Sequence, residues 1–399
     1  MKVKKVTRLK NALYLFVLIS SALTLSSISL SSEHSINTKS IDNDFLKELD
    51  VSLRLNFDAN RFDGVYREDR LADDHYDSQL RRARLSLKLP LGNNWSSKVQ
   101  FAINEGEESY ETKDLYLRYK GFNFADIKIG QAKEPFGLEN VTSSVNSIFT
   151  ERSLSIFALG RSKGINFSDS NKRYSWSLGT YKVAKNGKVK ADGDKAYTAR
   201  VTVSPINKDN NYNHFGLAYS TRDLQGAEYE IKTNGGVDNA FSFLDTRNIA
   251  TDTIVKKGVE AAWGRGQLSL QGEYQYLQID ALDIDESASY QGYYTQLSYF
   301  LTNDHRPYKK GRFSSVKPNS GKGAWELTLR KSALQSVEIG GANKNSHIDI
   351  ETTVLGVNYY LTKRIKFMLN ATDTETQGIT SYNLTPEGSA LSLRLQIKL

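Results

Sequence analysis

The alternation of apolar and polar residues limits what this chain can fold into more than any other feature. Its last nine residues, Leu391–Leu399, alternate without a break, and the same pattern recurs in Val51–Asp58, Ala83–Leu89 and Leu115–Lys120. Period two indicates a strand with one apolar and one polar face. A soluble β-sandwich gives the same alternation, so each segment alone leaves a sandwich and a membrane barrel open.

The lengths of the connections favour the barrel. Short connections near 90–94, 121–123, 169–172, 205–211, 264–266 and 361–363 alternate with longer ones near 59–79, 104–112, 132–162, 184–194, 223–256, 279–288, 333–349 and 375–387. This sidedness is typical of barrels with short periplasmic turns and long outer loops. We predict an all-β fold, a transmembrane antiparallel β-barrel of about 16 strands. The connection 302–322 is long where a short one is expected, so it holds a further hairpin or is an unusual turn.

Aromatic residues support a membrane location. The chain has 22 Tyr, 17 Phe and no Cys, with a mean hydropathy of −0.50. A barrel exposes only alternate strand residues to lipid, which dilutes its mean hydropathy. All four tryptophans are predicted to point outward at the short-turn end, as an interfacial girdle: Trp95, Trp176, Trp263 and Trp325. The alternative, core tryptophans of a sandwich, gives no reason for them to share one end.

The N-terminus predicts export. Lys2, Lys4, Lys5, Arg8 and Lys10 precede an apolar run over 12–30. This order is typical of a secretory signal peptide, and the alternative is an uncleaved membrane anchor. We expect a signal peptide over about 1–32, a periplasmic N-terminal segment over 33–48 and the outer-membrane β-barrel over 49–399. The first ten residues hold five of the eight net positive charges, so the high pI does not indicate nucleic-acid binding.

The polar strand face predicts a charged lumen, in which cations outnumber anions and modestly favour anion passage. The predicted inward cations are Arg82, Arg84, Lys88, Lys98, Arg118, Lys120, Lys128, Arg200, Arg222, Arg330 and Lys366, and the anions are Asp114, Asp126, Glu260, Glu273 and Glu326. We expect Lys256 in an outer loop, away from the lumen.

The third long loop, over 132–162, is too apolar for a loop in water. Its apolar side chains include Phe136, Leu138, Ile148, Phe149 and Phe157. We predict that it folds into the lumen of its own barrel and forms the constriction. It could instead cover a neighbouring subunit. Its polar residues would line the narrowest point: Lys133, Glu134, Asn140, Ser143, Ser144, Glu151 and Arg152.

Several short motifs occur from about Leu49 onward. They are FDG at Phe62–Gly64, RRAR at Arg81–Arg84, KDLYLRY at Lys113–Tyr119, KEPFGLE at Lys133–Glu139, TSS at Thr142–Ser144, ER at Glu151–Arg152, HRP around Arg306 and GAWEL at Gly323–Leu327. With these motifs the sequence resembles the phosphate-selective porin O and P family. The resemblance implies a 16-stranded barrel, usually trimeric, with the third loop in the pore and a ladder of inward arginines. It also implies an anion dehydration zone formed by Ser143, Ser144 and Arg152 with Arg81 and Arg82.

The chain departs from the family pattern at three positions. Asn140 and Val145 stand where phosphate-selecting members have lysines, and the chain ends in Leu399 where outer-membrane barrels usually have Phe. With two cations missing, we expect weak anion binding and only mild selectivity.

The resulting functional prediction is an outer-membrane porin that passes small solutes passively, with a mild preference for anions, among which the resemblance suggests phosphate. The predicted constriction and anion-binding residues are Arg81, Arg82, Arg84, Lys133, Ser143, Ser144, Arg152, Arg200 and Arg222. The expected partners are small anionic solutes, outer-membrane lipid and two further copies in a homotrimer, with no cofactor and no nucleic acid. The alternatives are a structural or adhesive barrel with little flux and, less favoured because the five histidines match no catalytic signature, a barrel enzyme.

Overall fold

The computed structural model describes residues 49–67, 75–103, 110–183, 189, 191–246, 248–339, 347–378 and 386–399. The expected signal peptide and the segment 33–48 lie outside the described residues. Sixteen long strands, numbered here in chain order, form the barrel. They are β1 Asp50–Phe62, β2 His75–Gly92, β3 Trp95–Ile103, β4 Tyr110–Tyr119, β5 Asp126–Lys133, β6 Arg161–Ser170, β7 Tyr174–Lys182, β8 Lys195–Val203, β9 Asn211–Asp223, β10 Ile249–Arg265, β11 Leu268–Ala281, β12 Ala288–Phe300, β13 Ala324–Ile339, β14 Asp349–Tyr360, β15 Ile365–Gln377 and β16 Glu387–Lys398.

The sheet closes on itself. Every strand pairs antiparallel with the next, and β1 also pairs with β16, with Arg54 opposite Lys398 and Phe62 opposite Ala390. Closure leaves no unpaired sheet edge, which a membrane-spanning sheet requires. The predicted count of about 16 strands is confirmed. In the described part of the chain no helix has the length and apolar character needed to span a membrane.

The alternation of side chains separates an apolar outer face from a polar inner one. On β16, Leu393 is 49% exposed whereas the next residue, Arg394, is 1% exposed. Trp95, Trp263 and Trp325 are each about 40% exposed, and Trp176 is the register partner of the exposed Val201. All four therefore lie on the outer face at the short-turn end, and the core-tryptophan alternative is wrong.

Short and long connections alternate as predicted, with two differences. The fifth outer loop ends earlier than expected, because β10 already begins at Ile249. Lys256 was therefore wrongly predicted to lie in a loop: it is a buried residue of β10 whose Nζ donates to the carbonyls of Ile156 and Phe157. The cause is that loop and strand here share a mixed composition without clear alternation.

The long turn over 301–323 is both unusual and partly a hairpin. Tyr308–Lys309 pairs with Arg312–Phe313, and this small hairpin folds back into the barrel. Phe313 packs there against Leu138 of the third loop and Tyr212 of β9. Alternation could not predict it, because two-residue strands carry no period.

The third loop, over 134–160, folds into the lumen as predicted. Its phenylalanine, leucine and isoleucine side chains are almost fully buried, and several pack on the inner face of the later strands. Phe136 approaches Gly258 of β10, and Ile148 and Phe149 pack against Val354 of β14. Beyond this, residues of outer loops 1, 3 and 5, including Tyr66, Phe157 and Phe243, join one hydrophobic cluster at the outer end.

Candidate functional site: the lumen beside the third loop

The third loop divides the lumen into an open and a packed side. An open cavity of about 690 Å³ lies between the polar side of the loop and strands β1–β8, which we call the open wall. No residue of β9–β16, the packed wall, lines this cavity. This ligand-sized aqueous space therefore lies on the side of the open wall.

A β-bulge between β1 and β2 determines the direction of the Arg81 and Arg82 side chains. Three residues of β1, from Asn56 to Asp58, oppose four of β2, from Arg82 to Gln79. An extra residue in one strand re-aims the neighbouring side chains. Arg81 and Arg82 consequently both contact residues of the third loop, although they are adjacent in sequence.

The narrow contact between loop and open wall is made by Ser144. Its Oγ accepts hydrogen bonds from Nη1 of Arg54, at 3.0 Å, and Nη1 of Arg82, at 2.6 Å. Arg84 lines the cavity beside them, and its buried Nε has no partner among the described residues. Two guanidiniums that share one neutral hydroxyl keep donors free for an anion.

Arg152, Lys133 and Ser143 also line the cavity. Arg152 donates to the carbonyls of Glu139 and Thr142, at 3.0 and 3.1 Å, and Lys133 donates to the carbonyl of Asn140 at 2.8 Å. These bonds hold the loop. Since a carbonyl carries no formal charge, the Arg152 guanidinium still contributes positive charge to the cavity.

Three predicted site residues are instead neutralised by carboxylates. Arg222 is bound in a bidentate pair by Glu134, at 2.7 and 3.0 Å, and does not line the cavity. Arg81 pairs with Glu151 and Asp238, and it does not line the cavity either. Arg200 touches the cavity but lies 2.5 Å from Glu260 and donates to the carbonyl of Gly311.

The electrostatics of the loop carboxylates follow from these pairs. Burial opposes ionisation of Glu134, but the Arg222 guanidinium outweighs it and holds the pKa of that carboxyl below its ordinary value. The pKa of Glu151 is lowered well below its ordinary range, because Arg81 and Arg394 together outweigh the effect of burial. Both carboxylates are thus ionised anchors of the loop.

Gly137 and Glu273 form the turn at which the third loop enters the lumen. Gly137 has φ +72°, and a Cβ there would lie 2.7 Å from Glu273 and Gln275. The Glu273 carboxylate accepts hydrogen bonds from the backbone N–H groups of Leu138 and Glu139, at 2.9 and 2.6 Å. The KEPFGLE motif thus builds the turn that brings the loop onto the packed wall.

Sequence reasoning missed several cavity cations. Arg54 follows the alternation of β1 and could have been found from its period, whereas Arg161 is the first residue of β6 and shows no such signal. Lys310 and Arg312 reach the cavity on the hairpin of the long turn. Arg161 and Lys98 share the carboxylate of Asp114, each at 2.5 Å.

Asn140 and Val145, which stand where phosphate-selecting members of the family have lysines, lie in different places. Asn140 lines the cavity, but its amide donates to the carbonyl of Leu159 at 3.0 Å. Val145 lines a separate small cleft with Arg306 and Lys366 and does not reach the cavity. Only one of the two missing lysines would therefore stand beside the open lumen.

Comparisons with known proteins agree with this architecture. The model of the phosphate-selective porin O and P family matches residues 49–399. Porin O of Pseudomonas aeruginosa is 28% identical over 391 aligned residues, which cover 86% of each chain.

Solved structures share the fold at low sequence identity. An anion-selective porin from Comamonas acidovorans superposes with a TM-score of 0.55 at 14% identity, over 88% of this chain and 100% of that one. The trimer form of OmpT from Vibrio cholerae gives 0.56 at 13% identity, over 88% and 99%. The protein is an outer-membrane porin of a bacterial cell, and it belongs to the phosphate-selective porin O and P family.

Proposed function

We propose that this porin passes small anions with a mild preference and holds phosphate only weakly. The observation that carries the proposal is the position of Ser144 between Arg54 and Arg82, at the contact of loop and open wall. Guanidiniums recognise phosphate and carboxylate through paired N–H donors, and a serine hydroxyl can replace part of a hydration shell.

The charges around the cavity support an anion preference. Thirteen Lys and Arg residues line it, against four Asp and Glu residues. One sign of charge along a narrow lumen raises the local concentration of counter-ions and so favours their permeation. Asp114 offsets part of this excess where it pairs with Arg161 and Lys98, which keeps the expected preference modest.

Weak phosphate binding follows from how few free cations meet at one point. Asn140 supplies no charge, and Arg152 already donates hydrogen bonds to two carbonyls of its own loop. Conduction needs binding weak enough for release, so a site of this kind suits passage better than retention.

The structural comparisons also bear on assembly and on the class of protein. A structurally similar porin exists in a trimer form, and we propose that this chain also forms a homotrimer. Its relatives are named as porins, which supports a channel rather than an enzyme. Lipid contact is expected at the exposed apolar outer face of the barrel.

The test is the reversal potential of the purified protein in a planar bilayer under a potassium chloride gradient. We expect a chloride-preferring potential, and only partial block of current by inorganic phosphate added at millimolar concentration. A cation-preferring potential would refute the anion assignment. Absence of conductance from correctly folded protein would favour a structural or adhesive barrel.

A further inference from the structure

The two ends of the barrel carry opposite charge. The seven turns at the short-turn end contain twelve Lys and Arg residues and only two acidic residues, Asp209 and Asp304. The eight outer connections contain twenty Asp and Glu residues against nine Lys and Arg. The end that faces the periplasm is therefore strongly basic, which the solute path inside the barrel does not require.

Most of these basic side chains are exposed to solvent, and of those named next only Lys120 also lines the lumen cavity. We call the following exposed set the basic rim: Lys120, Lys172, Arg173, Lys208, Lys317, Lys322, Lys363 and Arg364. The two acidic residues of these turns neutralise little of the positive charge of the basic rim. Asp209 lies 3.5 Å from its neighbour Lys208, and Asp304 is buried and accepts from the backbone N–H of Asn319.

The basic rim lies directly beside the aromatic girdle. Lys120 separates Tyr119 from Phe122, whose rings are 5.1 Å apart, and Arg173 precedes the exposed Tyr174. On the far side of the barrel, the carbonyl of Lys322 accepts from the Tyr359 hydroxyl at 3.0 Å.

Tyr359 itself stacks on Trp325 at 4.5 Å. Aromatic rings of this kind mark the level of lipid headgroups, and long basic side chains near them reach the headgroup phosphates. The rim residues therefore stand at the level of the lipid headgroups.

We propose that the basic rim binds anionic phospholipid headgroups of the inner leaflet. The rim occupies turns that follow β4, β6, β8, β12 and β14, so it surrounds the barrel instead of forming one patch. A ring of charge at headgroup level is complementary to a layer of lipids, whereas one protein partner would need a continuous surface. Each basic residue at an anionic membrane surface contributes a several-fold gain in binding.

The girdle tryptophans provide the readout. The full mature chain is reconstituted in vesicles that contain either brominated phosphatidylglycerol or brominated phosphatidylcholine at equal mole fraction, and tryptophan quenching is compared. We expect phosphatidylglycerol to be enriched about threefold near the tryptophans, and the enrichment to fall in high salt because salt screens exposed charges. Inorganic phosphate at matched ionic strength should not reduce it further if lipid headgroups, and not free phosphate, are the ligand.

Two variants make the test specific. The rim variant carries Lys172→Gln, Arg173→Gln, Lys363→Gln and Arg364→Gln. The matched control carries four substitutions at exposed cations of the outer half, Lys163→Gln, Lys182→Gln, Lys195→Gln and Lys331→Gln.

We expect the rim variant to lose most of the enrichment and the control to keep it, with unchanged conductance in both. Equal quenching by both lipids in the native chain would overturn the proposal and would leave an acidic periplasmic macromolecule as the partner to seek. Full enrichment in the rim variant would overturn it as well.

Discussion

The open wall, β1–β8, and the packed wall, β9–β16, carry the same alternation of side chains but use their inward charges differently. Eight inward charged residues of the packed wall are less than 9% exposed: Arg222, Lys256, Glu260, Glu273, Glu326, Arg330, Lys366 and Arg394. On the open wall, Arg54, Arg82, Arg84 and Arg118 line the cavity. The third loop, and not the strand sequence, decides whether an inward charge serves the solute or the fold.

The packed wall holds the loop through charged groups. Lys366 donates to the carbonyl of Ser147 at 2.7 Å, and Arg330 donates to that of Glu151 at 3.1 Å. Six of the eight buried charged side chains of the packed wall form hydrogen bonds or ion pairs with the third loop. Cations that saturate carbonyls and carboxylates in a dry interface cannot also attract a passing anion.

The largest expected effect is loss of stability from Arg394→Ala on the packed wall. Arg394 lies 2.5 Å from Asp58 and 2.8 Å from Glu151, and all three are mostly buried. Removal of Arg394 leaves the buried Asp58 without this ionic partner and leaves Glu151 with Arg81 alone among the described residues, and an uncompensated buried charge costs about 3–5 kcal/mol. Urea unfolding of the reconstituted protein, followed by tryptophan fluorescence, measures the loss.

Arg84→Ala on the open wall is the matched control. Its side chain faces the cavity and forms no ion pair among the described residues, so we expect a loss below about 1 kcal/mol. Equal losses for the two variants would break the distinction between the walls.

A second prediction concerns ion selectivity at the open wall. Arg82→Glu or Arg152→Glu should shift the reversal potential toward cations and change the permeability ratio several-fold. Unit charges roughly 4 Å apart interact by about 1 kcal/mol in bulk water and about 4 kcal/mol at an effective dielectric near 20, and the pore lies between these limits.

Lys195→Glu serves as the control for this shift. Lys195 is exposed on the outward face of β8, where bath salt screens it within about 10 Å. Equal shifts at Lys195 and Arg82 would indicate a diffuse field and no constriction. Lys256 cannot serve as this control, because it is buried under the loop.

A smaller effect is expected from Ser144→Ala. The hydroxyl accepts from Arg54 and Arg82 at the contact of loop and wall, but it carries no charge. Loss of such a bond is worth about 1 kcal/mol. We expect conductance to change about twofold or less while the sign of selectivity stays the same. A reversal of selectivity would show that the hydroxyl, and not the guanidiniums, discriminates between ions.

The smallest expected effect is a pH dependence from the outer end of the open wall. Burial raises the pKa of Asp238 to about 6, and the Arg81 charge, which this carboxyl shares with Glu151, does not offset the effect of burial. Above about pH 6 this carboxylate neutralises part of Arg81, and below it the carboxyl is uncharged. Anion preference should therefore rise slightly from about pH 7 to about pH 5. Asp238→Asn should remove the change, and an unaltered pH response in that variant would exclude this residue as its source.

The sequence predicted the barrel well because most strands keep the period-two alternation, and because short and long connections alternate everywhere except at the turn over 301–323. It predicted inward positions for Arg82 and Arg222 alike, since both follow alternation, yet only the first lines the cavity. The partner of Arg222 is Glu134, 88 residues away, and no local pattern encodes that pairing. The bulge that aims Arg81 at the third loop and the hairpin that carries Arg312 also depend on tertiary contacts.

Accessibility of single cysteines tests the division of the lumen most directly, because the native chain has no cysteine. Ser143→Cys places a thiol on the cavity, and Ser220→Cys places one on the packed wall, where the serine is fully buried. An anionic methanethiosulfonate reagent is added during bilayer recording. We expect rapid loss of current in the Ser143→Cys channel and none in the Ser220→Cys channel. Equally fast modification of both would contradict the division of the lumen into an open and a packed side.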